Sequence, residues 1–220
     1  MRQYTTAWIG TLAVVDGQVY TRDVTVMNDP RVGQSPALMP ALGAQNKLTL
    51  LSVQGMEHSF EGYEEVTAVQ DQLATLMKGN LPADVSEQAK TLDASLTKIG
   101  GGRAAGGRGG GGGGGRGRGA NAGPNALQPF SELNNAFNTM VSMMQVGLDM
   151  APTPTQIATW QKDCTDLSRT TTAWEDALKQ VTDFNAMLVK NNLQELKVAP
   201  TKLTVSTCSF MPEPAEKAKK

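Results

Sequence analysis

Val85, Ala89, Leu92, Leu96 and Ile99 step along the chain by 4, 3, 4 and 3 residues, the spacing of one face of an α-helix. That stretch predicts a helix over about 83–99. The same beat returns from about Gln128 to Met150, through Phe130, Leu133, Phe137, Met140, Met144 and Leu148. It is sustained longest after Thr153, through Ile157, Trp160, Cys164, Leu167, Thr171, Trp174, Leu178, Val181 and Leu188. This last helix opens on "TPTQ", with Thr153 as N-cap, Pro154 in the first turn and Gln156 as the capping-box partner. An earlier helix is expected from about Ala37 to Lys78, opened by Ser35-Pro36 and closed by Gly79-Asn80. Its inward positions are read as Leu42, Met56, Tyr63, Val66, Leu73 and Met77. Gly43, Gly55 and Gly62 weaken it, so a kink is expected there.

Residues 4–27 alternate with period two instead. Trp8, Gly10, Leu12 and Val14 share one face, followed by Tyr20, Val24 and Val26, with the turn signal "VVDGQ" between them. A two-residue loop at Asp16-Gly17 would pair even positions with odd ones. A three-residue loop, Val15-Asp16-Gly17, places Leu12 opposite Tyr20 and Trp8 opposite Val24. The second keeps one consistent apolar face and is the expected register. Pro30 in "NDPRV" ends the strand.

Helix lengths constrain the topology. At 1.5 Å per residue the first helix is about 60 Å long and the fourth about 55 Å, while the second is about 25 Å and the third about 33 Å. The second and third together match one long helix. Short connections make antiparallel neighbours. The expected fold is mainly α: an elongated, antiparallel, three-layer helical bundle of four helical segments, its middle helix interrupted by a Gly-rich loop. A small N-terminal β-hairpin precedes it. This divides the chain into a hairpin at 1–32, the bundle at 33–196 with a disordered Gly/Arg-rich insertion at 100–125, and a C-terminal extension at 197–220. The extension holds a possible strand at 203–207 and then a disordered tail.

Composition adds little to this picture. The chain has 220 residues and a formal net charge of -1, so no global field attracts nucleic acid or an anionic membrane. Four arginines, at 103, 108, 116 and 118, fall in the Gly-rich tract, which leaves -5 on the remainder. No apolar run reaches the length of a membrane span, and "MRQYTTAWIG" has no signal-peptide core. Cys164 and Cys208 are the only cysteines. They are too few for a disulfide scaffold and lack zinc-ligand spacing. One bridge between them would pin the tail to a helix. A buried Cys164 beside a free Cys208 thiol is the equal alternative.

Catalytic chemistry finds no foothold. His58 is the one histidine. It shares a helix face with Glu61 and Glu65, which raises a metal site, but the other helices offer no second Glu-x-x-His pair. A solvated acidic face is the better reading. No nucleophile elbow, cysteine-protease signature or phosphate loop is present. Trp160 and Trp174 lie two heptads apart on one seam and read as core rather than as a ligand platform. The Met-rich stretch "TMVSMMQVGLDM" reads as deformable core. No catalytic, metal-binding or cofactor-binding residue, and no cofactor, is assigned.

The tract "GGGRAAGGRGGGGGGGRGRGANAGPN" at 100–125 has the composition of an Arg-Gly box. It contains no aromatic residue for base stacking and only one Arg-Gly-Gly. It therefore reads as a flexible insertion, with RNA binding as the weaker alternative. Its expected span is about 28 Å.

"LAVVDGQVYTRDVTVMNDPRV" resembles the stretch that follows the β-propeller in large secreted bacterial proteins of the sortilin/Vps10-like, BNR-repeat type, often labelled glycosyl hydrolases. The matching positions are Val14, Gly17, Tyr20, Val26, Asp29, Pro30, Arg31 and Val32, together with "MAPTPTQ" at 150–156. The resemblance implies the end of an immunoglobulin-like β-unit followed by a helical bundle. The propeller is missing, so no family site residue carries over. It implies a non-catalytic structural or interaction module, the C-terminal accessory part or a split fragment of an extracytoplasmic protein, partnered by another protein or by the missing propeller. An enzyme of glycosidase type, with its site in that propeller, is the alternative.

Overall fold

The computed structural model describes residues 11–15, 18–22, 38–101, 126–146, 150–198 and 207–210. They fall into two compact units divided after Leu38. In the first, strands β1 (Thr11–Val15) and β2 (Gln18–Arg22) pair antiparallel. Val15 faces Gln18 and Leu12 faces Thr21. This corrects the expected register: two residues, not three, separate the strands, and Ala13, not Leu12, lies opposite Tyr20. Asp-Gly is the dipeptide that two-residue hairpin loops favour. That local preference outweighs a one-face pattern in a ribbon with two described strands. The expected pair Trp8–Val24 and the Pro30 stop lie outside the described residues.

The second unit is helical. α1 (Leu38–Leu76), α2 (Ala83–Gly100), α3 (Phe130–Val146) and α4 (Pro154–Lys190) follow one another along the chain. Pro40 falls in the first turn of α1, where its missing N–H leaves no bond unmade. The helix then continues without interruption through all three glycines. α3 is described as far as Val146; Met150, its expected end, is not helical, and Leu148 lies outside the described residues.

Side-chain contacts fix the directions. Descending α1, Gln45 bonds to Met144, Asn134 bonds to Met56, Gly62 meets Phe130, Gly100 meets Val66, and Gln70 bonds to Asp93 and Thr97. The partner numbers fall steadily through α3 and then α2. These two helices therefore run in line, antiparallel to α1, as one interrupted middle layer. α4 runs alongside α1 in the same direction: Trp160 and His58 line one indentation, and Trp174 bonds to Glu65 further down.

The core holds large side chains from every helix, among them Leu48, Leu73, Leu96, Phe130, Phe137, Trp160 and Trp174. On α1 the buried face is Leu48, Ser52, Gly55, Ser59, Gly62, Val66, Val69 and Leu73, stepping by 4 and 3 throughout. Met56, Tyr63 and Met77, expected inward, are half-buried at its margins. The two serines bond back to Leu48 and Met56 carbonyls, so they enter the core with their hydroxyls satisfied.

Thr153 caps α4 with both halves of the capping box in place: Gln156 N–H donates to Thr153 Oγ1 at 3.2 Å, and Thr153 N–H donates to Gln156 Oε1 at 2.7 Å. The far end closes at Asn192, which adopts φ 55°. Asn192 N–H donates to the Val189 carbonyl and Leu193 N–H to that of Leu188, the paired bonds of a Schellman motif.

Candidate functional site

The chemistry-bearing residues converge between α1 and α4. Leu51, Gly55 and His58 of α1, Phe137 of α3, and Trp160, Cys164 and Leu167 of α4 line one shallow indentation. Cys164 is disulfide-bonded to Cys208, so the free-thiol alternative does not hold. The bridge brings the C-terminal tail onto α4, where Phe210 packs edge-on against Trp160 with ring centroids 6.4 Å apart.

The tail is held at a second place. Asn185 donates from Nδ2 to the Leu196 carbonyl at 2.9 Å and accepts from Leu196 N–H at 2.8 Å. Gln72 does the same to Lys197, at 2.9 and 2.7 Å. Each side-chain amide thus pairs with one residue's backbone as a neighbouring strand would, and residues 196–197 are clamped between α4 and α1. Sequence reasoning missed both amides. Nothing local marks them, since Gln72 and Lys197 stand 125 residues apart. The possible strand at 203–207 falls almost wholly outside the described residues, and Thr207 itself is not in a strand.

The proposed metal-type trio is not assembled. His58 lines the indentation, Glu61 is exposed, and Glu65 accepts the indole N–H of Trp174 at 2.7 Å. Among the described residues no three His, Cys, Asp or Glu side chains are grouped to hold a metal. Both tryptophans are core: Trp160 is 1% exposed and Trp174 2%. They differ in one respect. The Trp174 donor is satisfied, while the buried Trp160 Nε1 has no hydrogen-bond partner among the described residues.

The remaining polar contacts lie within α4 or join it to the segment before α3. Asp166, nearly buried on α4, bonds to Lys162 and, at 3.3 Å, to Arg169. Thr170 Oγ1 donates to the Gln128 carbonyl at 2.6 Å and so fixes the segment leading into α3. Asp176, by hydrogen bond and by charge, raises the pKa of Lys179. Both are well exposed, where such a pair contributes little. No helix among the described residues is long and apolar enough to cross a membrane.

The middle layer breaks at a tight junction. Gly101, at φ 97°, ends α2 with its N–H donated to the Thr97 carbonyl. A Cβ there would stand 2.0 Å from Ser131 Oγ and 3.4 Å from Pro129 Cβ. The chain therefore leaves α2 beside the first turn of α3. Residues 102–125, with all four tract arginines, lie outside the described residues.

No protein-family model, curated protein or solved structure matches the chain.

Proposed function

We propose that this chain is a non-catalytic structural or interaction module, the C-terminal accessory part of an exported sortilin-like β-propeller protein. The hairpin of the first unit is then the remnant of the immunoglobulin-like unit that precedes the helices, and the propeller is the natural protein partner. The observation that carries the reading is the Cys164–Cys208 bridge. Structural disulfides persist in oxidising compartments and are rare in the cytosol, so the bridge supports export. The use of the polar side chains agrees with it. Gln45, Gln70, Gln72, Asn134, Thr170 and Asn185 spend their hydrogen bonds joining one element to another.

The test is made on the endogenous protein. Cells of the source organism are fractionated, thiols are trapped at lysis, and the polypeptide carrying the 150–198 peptides is sized and mapped by mass spectrometry. The proposal expects an extracytoplasmic polypeptide with Cys164 and Cys208 oxidised and propeller peptides either in the same chain or co-purifying. A cytosolic chain with both thiols reduced would overturn it, as would hydrolysis of aryl glycosides by the purified 220-residue protein.

A further inference from the structure

The helical unit is made of two successive hairpins, α1 with α2 and α3 with α4. Within the first, Val66 meets Gly100, and Gln70 bonds to Asp93 and Thr97. Within the second, α3 packs on α4. The one disulfide, Cys164–Cys208, also lies in this second half, and the chain has no other cysteine, so no disulfide joins the two hairpins. Between them the contacts run along most of α1. Gln45 donates to the Met144 carbonyl at 2.8 Å, and Asn134 donates to the Met56 carbonyl at 2.8 Å. Trp174 donates to Glu65 at 2.7 Å, and Gln72 donates to the Lys197 carbonyl at 2.9 Å. From residue 45 to residue 72 these bonds cover about 40 Å of helix. The apolar contacts follow the same line. Phe137 and Phe130 of α3 stand against Gly55 and Gly62 of α1, and α2 packs on α4. Both rings are fully buried, so each hairpin completes the core of the other.

We infer that the face between the hairpins is a self-sufficient binding interface: hairpin α1–α2 and hairpin α3–α4 are each other's partners, and their pairing does not depend on the peptide link between residues 101 and 126. The fit is one of shape. α1 offers small residues in the middle of its seam, Ser52, Gly55, Ser59 and Gly62, where α3 offers the large rings Phe130 and Phe137. The apolar burial that drives such pairing scales with area removed from water and not with chain connectivity. What a flexible link adds is effective concentration, on the order of 1 mM. A small domain favours its folded state by at least about 10³-fold. Dividing the first figure by the second gives a dissociation constant of about 1 µM or tighter for unlinked hairpins. The partner that fits either hairpin is therefore the complementary hairpin, on the same polypeptide or on a separate one. This holds whether or not the protein is exported.

The full chain tests this, with a specific-protease site inserted between Gly110 and Gly111 and cut only after the protein has folded. Size-exclusion chromatography with mass spectrometry follows the two pieces, and far-UV circular dichroism follows the helices. At about 10 µM, above the expected dissociation constant, the pieces should elute together with the helical signal retained. The thermal midpoint, independent of concentration before cutting, should rise with concentration afterwards. Phe137→Ala in the cut protein should weaken the pairing at least about 100-fold, the equivalent of a deleted buried ring. Separation of the pieces at that concentration, or loss of the helical signal on cutting, would overturn the inference, because the link would then be holding the hairpins together. An unchanged dissociation constant for Phe137→Ala would overturn it equally, because the pieces would then be meeting through some other face.

Discussion

Gly101 lies against Ser131, so close that a single methyl on Gly101 would fall 2.0 Å from the serine oxygen. The glycines around the break in the middle layer are thus of two kinds. Gly100 and Gly101 are packed: a Cβ on Gly100 would meet Val66 Cγ1 at 2.8 Å, and Gly101 has the positive φ that side-chain-bearing residues avoid. The tract proper begins at residue 102. Gly101→Ala should cost about 3 kcal/mol, combining a strained backbone with a clash against Ser131. Urea unfolding of the variant measures it. A loss within experimental error of zero would show that the α2–α3 junction is not held as described.

Because the chain leaves α2 beside the start of α3, the 24 residues from 102 to 125 close a loop whose ends are already close. Closure entropy grows only with the logarithm of loop length. Replacing 102–125 with a six-residue Gly-Ser loop halves the length twice and should raise stability by about 1 kcal/mol. The readout is a higher urea midpoint with the helical signal retained. A lower midpoint would make the tract a structural element rather than an insertion.

Two of the three glycines that weaken the helical pattern of α1 are seats for aromatic rings, while Gly43 faces open space. A Cβ at Gly55 would approach the Phe137 ring to 2.6 Å, and one at Gly62 would approach Phe130 to 2.5 Å. Gly62→Ala gains about 1 kcal/mol of helix propensity. It loses more, roughly 2–3 kcal/mol, by overpacking against a fully buried ring. The net change should be destabilising by about 1–2 kcal/mol. In a Phe130→Leu background the same substitution should lose most of that penalty, which a double-mutant cycle reads directly. A net gain for Gly62→Ala in the wild-type background would show that the ring moves aside freely.

These glycines also mark where the sequence was legible and where it was not. The seams of α2 and α4 are written in large apolar residues, so period alone reveals them, and Val85, Leu92, Leu96, Trp160, Leu167 and Trp174 are all buried. The seam of α1 keeps the same spacing, but Ser52, Gly55, Ser59 and Gly62 occupy its middle, and hydrophobicity does not register them. Their space is filled from the opposite side by Phe130 and Phe137, a fact that belongs to the pair of helices and not to either one. The in-line arrangement of α2 and α3 followed from lengths alone, because two short helices must match one long neighbour. The site between α1 and α4 was half visible. His58, Trp160 and Cys164 were each singled out, but nothing joined His58 to the other two. The amide clamp of Gln72 and Asn185 left no local trace at all.

Trp174 and Glu65 join the lower halves of α4 and α1 through one hydrogen bond of 2.7 Å. The indole is 2% exposed, so removing its acceptor strands a buried donor, whereas exchanging the acceptor does not. Glu65→Gln keeps a side-chain oxygen in reach and should cost no more than about 1 kcal/mol, the difference between a charge-assisted and a neutral bond. Glu65→Leu removes every acceptor and should cost about 2 kcal/mol. Trp174→Phe in the Glu65→Leu background then removes the stranded N–H. It should cost less than Trp174→Phe alone, which takes the indole donor away from the Glu65 carboxylate. Thermal unfolding of the three single variants and the double variant gives the coupling. Equal costs for Glu65→Gln and Glu65→Leu would mean that the bond contributes nothing beyond the packing of the side-chain stem.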